Sequence, residues 1–159
     1  MLQQVFSWQF YKKNPQNLIW IILIIAFLLR VAALITYGLT LTLNSDDQAY
    51  IRSAVRFLET GMITYHIDEM FPTVHIMPGQ PLLLAFIFLI FGTGDIGVYA
   101  AKVVWIALGT ICVYFVYLIG KYIWNVYVGL IAAAVLAIFI PQVLTDNLLL
   151  TETPYFLSL

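Results

Sequence analysis

The stretch from Asn44 to Gly61, NSDDQAYIRSAVRFLETG, places two adjacent carboxylates, Asp46 and Asp47, ahead of Tyr50, Arg52 and Arg56 in a polar island between long apolar runs. An aspartate beside a bilayer has the makings of a general base. With an ordinary pKa of about 4 it is ionised at neutral pH, and it needs only hydrogen-bond reach to an acceptor hydroxyl. If the leaving group is a phosphate, no strong general acid is required. Positive charge or a bound metal suffices to receive it. Arg52 and Arg56, one helical turn apart, are local sources of that charge. They fit contacts with lipid headgroups equally well, or pairing with Glu59 or Asp47.

A structural account of the acidic pair stands beside the chemical one. Ser45 to Gln48 matches the S-x-x-Q capping box, with Ser45 as N-cap and Gln48 at the third position. Acidic side chains in a first turn also complement the helix dipole. Glu152, in LLLTETPYF, is a second acid at the edge of an apolar run and has the same two explanations, with Asp146 and Asn147 at the preceding turn. Arg30 differs, because it lies well inside an apolar run, where a charge must face a bundle interior, a cavity or a carboxylate. The expectation is a partner acid on a span outside this chain, or an anionic lipid group. His66, Asp68, Glu69 and His75 are scattered along a loop at spacings that match no zinc motif. They read as a solvated loop. HIMPGQP, which follows, reads as a rigid connection.

The elements that must position these groups follow from composition. Of 159 residues 63% are hydrophobic and only 9% charged, against about a quarter charged in soluble domains. The expectation is a multi-pass protein of the cell membrane. The net charge of −1 gives no basic footprint for nucleic acid. Cys112 is the single cysteine, which excludes an intramolecular disulfide.

Apolar runs over 18–43, 96–119 and 126–144 are each near or above the roughly 20 residues that cross a bilayer. Lys12 and Lys13 precede the first and Lys121 follows the second, so the positive-inside rule puts the N-terminus and Lys121 in the cytoplasm. Residues 44–95 then form an extracytoplasmic loop. Within it, Asp46 to Thr60 reads as an amphipathic surface helix with Tyr50, Ala54, Phe57 and Leu58 on one face, ended by Gly61. Leu82 to Phe91, about ten apolar residues, is short for a span and is expected to lie flat on the outer surface. The predicted fold is all-α and polytopic. It has about three spans, two extracytoplasmic juxtamembrane helices and the start of a fourth span at Pro154. A chain that stops there reads as the N-terminal part of a larger protein.

The ordered set LLR, SDDQAYIRSAVRFLETG, HIMPGQPLLLAFIFLIFG and LLLTETPYFLSL resembles the first span and outer loops of GT-C membrane glycosyltransferases. The nearest likeness is to bacterial relatives of dolichyl-phosphate-mannose protein mannosyltransferases, including aminoarabinose transferases. The resemblance covers nearly the whole chain, although MPGQP stands where a Pro-Pro pair is commoner. It implies a catalytic aspartate at Asp46, with Asp47 as the second acid of the pair. Glu152 would be the second-loop acid near the donor or a metal, and Tyr50, Arg52 and Arg56 substrate-binding groups. The reaction implied is inverting transfer of a sugar from a polyprenyl-phosphate donor to an acceptor hydroxyl on a protein, lipid or glycan. It leaves a divalent metal open, fixes no cofactor, and implies that these 159 residues alone are inactive. A polytopic transporter and a non-catalytic membrane scaffold are the competing classes.

Overall fold

The computed structural model describes residues 15–65, 71–72 and 77–158. Among them there is no strand. A 3-10 turn at Pro15–Asn17 leads into α1 (Leu18–Tyr37), followed by α2 (Asp46–Thr60), α3 (Gly79–Phe91), α4 (Asp95–Ile123), α5 (Val126–Ile138), α6 (Ile140–Thr145) and α7 (Glu152–Ser158). Two helical stretches, Pro15–Thr40 and Asp95–Ile123, are long and apolar enough to cross a membrane.

α1 and α4 run antiparallel. Ile19, at the start of α1, packs with Val113 and Tyr117 from the second half of α4. At the other end, Lys102 near the start of α4 donates from Nζ to the carbonyls of Gly38 (2.7 Å) and Leu41 (3.2 Å). Everything between the two helices therefore returns to the end it left. Within that return, α3 packs on α2 and α4 through Leu84, Ala85, Ile87 and Phe88 without extending the bundle. At about 20 Å, thirteen residues of helix fall short of the bilayer core.

α2 takes the expected bounds, and Gly61, at φ +74°, donates its N–H to the Phe57 carbonyl at 2.8 Å. Its buried face is rotated from the expected one. Ala49, Ser53 and Ala54 are buried, Tyr50 and Phe57 are partly buried, and Leu58 is exposed. The small side chains let α2 approach α3 closely, which leaves the larger Leu58 at the margin.

Two expected apolar runs are not single continuous helices. The first helix stops at Tyr37 rather than 43; Gly38–Thr40 form a 3-10 turn and Leu41 is extended. The stretch 126–144 is not one helix, because it breaks at Phe139 (φ −69°, ψ +101°) between α5 and α6. Pro141 is the cause. It has no N–H to give the carbonyl of Ala137, and its ring clashes with a continuing turn. Arg30 Nη1 approaches that carbonyl instead, at 3.5 Å.

Candidate functional site

Asp46 and Asp47 are neighbours in sequence and opposites in environment. Asp47 is 2% exposed. Its Oδ2 accepts from the Thr42 hydroxyl (2.5 Å) and the Leu43 N–H (3.0 Å), and its Oδ1 from the Ser45 N–H (3.1 Å). Burial pushes the Asp47 carboxyl up, but hydrogen bonds from Thr42, Ser45, Leu43 and Gln48 outweigh it and hold it below its ordinary value. This carboxylate ties down the backbone entering α2.

The expected capping box is absent. Ser45 occupies the N-cap position without a side-chain capping bond, and Gln48 donates to Thr42 Oγ1 (3.1 Å) rather than reaching back to Ser45. The reason is competition: Asp47 already holds the Ser45 N–H that a capping Gln48 would need.

Asp46 is exposed on the first turn of α2, and its Oδ1 accepts from the Tyr65 hydroxyl at 2.5 Å. That bond holds the Tyr65 phenol above its ordinary value, because ionisation would remove the donor and set two anions together. Tyr50, one turn along α2, lies between carboxylates. Burial raises its phenol, the charges of Asp46 and Glu152 raise it further, and a hydrogen bond with Thr151 works against them. Asp46 and Glu152, remote in sequence, thus both act on Tyr50 through their charge. Arg52 is close enough to lower the Tyr65 phenol. Arg52, Arg56, Glu59 and Tyr65 line a groove of about 260 Å³ along α2. All six expected site residues therefore lie at the same end of the bundle, with Asp47 in a supporting position.

Glu152 opens α7 directly after a loop that is held from several sides. The carbonyl of Leu149 accepts from Gln80 Nε2 (2.6 Å) and that of Leu150 from Trp105 Nε1 (2.9 Å). Leu149 itself has φ +55°, a conformation costly for a leucine and kept only where its surroundings over-determine it.

Below this loop lies a buried polar network that sequence reasoning did not assemble. Arg30 finds its carboxylate within the chain, which corrects the expected external partner. Its Nε donates to Asp146 Oδ2 at 2.6 Å, and both side chains are fully buried. Asp146 Oδ1 accepts from the Thr153 hydroxyl (2.7 Å) and from Gln142 Nε2 (3.0 Å). Gly109 makes the room, since a Cβ there would sit 2.1 Å from Asp146 Oδ2. Lys102, also buried, is a second charge inside an apolar helix. Its signal in the sequence was a lone lysine within the run 96–119.

His66, Asp68, Glu69 and His75 lie outside the described residues, as do Lys12 and Lys13. Among the described residues no group of three or more His, Cys, Asp or Glu side chains is placed to hold a metal ion. Comparison with protein-family models, curated proteins and solved structures yields no match to this chain.

Proposed function

We propose that this chain belongs to a polytopic membrane glycosyltransferase that takes a sugar from a polyprenyl-phosphate donor and gives it to an acceptor hydroxyl. The observation that carries this is the division of labour in the acidic pair. Asp47 accounts for the structural need, so helix capping does not explain the exposed carboxylate of Asp46. That carboxylate shares its end of the bundle with Glu152 and two arginines.

The chemistry follows from the groups present. Asp46 accepts the proton of the acceptor hydroxyl as its oxygen bonds to the anomeric carbon. The bond from that carbon to the phosphate oxygen breaks on the opposite face, which inverts the configuration. The polyprenyl phosphate departs as an anion, with Arg52 and Arg56 in the groove beside Tyr65 as the nearest positive charge. Tyr50 and Glu152 contact the substrates, and the acceptor is a protein, lipid or glycan on the extracytoplasmic side. A divalent metal is compatible with Glu152.

Membrane placement is supported by aromatic side chains. Tyr37 and Tyr99 are exposed at the site end, and Trp20, Tyr122, Trp124 and Tyr127 at the other. Tyr99 and Tyr122 are about 35 Å apart along α4 at 1.5 Å per residue. That separation suits belts at the two faces of a roughly 30 Å hydrocarbon core. We assign three crossings, with α5 and α6 as a discontinuous third, and a fourth beginning in α7.

One observation favours transport instead. The Arg30–Asp146 pair sits at a helix break, the kind of place where transporters hold ions and substrates. Turnover of a radiolabelled polyprenyl-phosphate sugar by the full-length gene product separates the two. The transferase releases polyprenyl phosphate and loses at least about a hundredfold of that rate on Asp46→Asn, in line with removal of a general base. A transporter moves the sugar or its carrier without cleaving it.

A further inference from the structure

A cavity of about 230 Å³ lies between the first turn of α2, the start of α4 and the Leu148–Leu149 bend. Asp47, Gln48, Asp95, Val98, Lys102 and Leu149 are among its walls. It adjoins the groove that Arg52 and Tyr65 line, with Ile51 as a wall common to both.

Its chemistry is set by which hydrogen-bonding capacity is already used. Lys102 is 3% exposed, and the Gly38 and Leu41 carbonyls take two of its ammonium protons. An ammonium has three. Among the described residues the third meets no acceptor, and a buried donor in that condition is costly. Asp47 is the reverse: Thr42, Leu43, Ser45 and Gln48 occupy its oxygens. Asp95, exposed at the first turn of α4, keeps its acceptor capacity, and Gln48 offers its amide oxygen.

Two carboxylates and one ammonium give the walls a formal charge of −1, which disfavours an anion. A neutral molecule with hydroxyl groups satisfies the lone donor and the acceptors together. At about 30 Å³ per water the volume corresponds to about eight waters, enough for a single ring with its hydroxyls. One wall is the strained Leu149, held by Gln80 and, through Leu150, by Trp105.

We propose that this cavity is a subsite for a neutral hydroxylated ring of monosaccharide size. Lys102 Nζ donates to a ring or hydroxyl oxygen and Asp95 accepts from a hydroxyl. Identifying the ring as the sugar of the donor or acceptor rests on the transferase proposal above; binding itself does not.

The test is isothermal calorimetry on the purified protein in a detergent without a sugar headgroup. The probes are methyl hexopyranosides, methyl pentopyranosides, myo-inositol and inorganic phosphate. Saturable binding of at least one ring probe is expected, with no competition from phosphate. Val98→Phe fills the cavity and Asp95→Leu removes the acceptor at α4. Each should weaken binding at least about tenfold. Lys102→Met should do the same, but it also frees two carbonyls, so the first two variants carry the test if it fails to fold. Absence of ring binding to folded protein, unchanged affinity in folded Val98→Phe, or preferential phosphate binding overturns the proposal. Ring binding without donor turnover sinks the transferase and leaves the subsite standing. Donor turnover without ring binding does the opposite.

Discussion

Replacing Asp146 with alanine should be among the most damaging single substitutions in this chain. Arg30 and Asp146 are fully buried and joined at 2.6 Å, and Asp146 also accepts from Thr153 and Gln142. Alanine leaves the buried Arg30 guanidinium and Thr153 hydroxyl without their carboxylate and frees the half-buried Gln142 amide. Breaking a buried pair on one side costs about 3–5 kcal/mol, out of a typical total of roughly 5–15 kcal/mol. The pair itself adds little net stability, because both charges were taken out of water to make it. Removing both should therefore cost less than removing one. Unfolding by sodium dodecyl sulfate in mixed micelles reads these differences directly for Asp146→Ala, Arg30→Met and the double variant. Both singles should lose about 3–5 kcal/mol, with the double variant closer to wild type than either. Gly109→Ala adds an internal check. Its Cβ would lie 2.1 Å from Asp146 Oδ2, so it should be severe in wild type and mild once Asp146 is alanine. Additive losses in the double variant, or an Asp146→Ala cost below about 1 kcal/mol, would refute the reasoning.

Further expectations concern the acidic pair and the helix hairpin. Asp47→Asn should lower stability near neutral pH by about 1–3 kcal/mol, the cost of poorly satisfied buried donors. Because folding lowers the Asp47 pKa, its contribution is complete above the unfolded value of about 3.9. It disappears as pH falls through the folded value, so melting curves of wild type and Asp47→Asn should converge in acid. Persistence of the full gap there would contradict the assignment. Spectrophotometric titration of wild type against Tyr65→Phe should show the Tyr65 phenol ionising above its ordinary value. Asp46→Asn should bring it down by removing the negative charge, which leaves only the weaker amide oxygen to accept from the phenol. Gly120→Ala should destabilise the α4–α5 hairpin by about 1–3 kcal/mol through overpacking, since the new Cβ would meet Gly129 Cα at 2.7 Å. Thermal unfolding compared with the surface control Ala107→Ser checks it.

Much of the site was legible because polarity along an apolar chain is conspicuous. The bounds of α2 follow from a charged island flanked by greasy runs and closed by Gly61. The return of 44–95 to one end follows from the apolar run Leu82 to Phe91 being too short to cross. Asp46 and Glu152 stood out as acids at run edges, and in the structure the charges of both act on Tyr50. What hydropathy cannot carry is azimuth and partner choice. Arg30 was visibly expensive, yet its partner lies 116 residues away, and nothing local points from one to the other. The break at Phe139 did have a local signal in Pro141, which a count of apolar residues passes over. Ser45 and Asp47 were both credible as the group that organises the start of α2. Only side-chain geometry shows Asp47 taking the Ser45 N–H and excluding the capping box.

The most direct measurement sets turnover against stability for the two neighbouring acids. Donor cleavage and thermal unfolding of the full-length gene product are measured for wild type, Asp46→Asn and Asp47→Asn. Asp46→Asn should abolish cleavage of the polyprenyl-phosphate sugar while unfolding like wild type, and Asp47→Asn should unfold earlier and keep activity in proportion to its folded fraction. Full turnover in Asp46→Asn, or equal effects of both substitutions on folding and cleavage, would contradict the assignment of Asp46 as the reactive carboxylate.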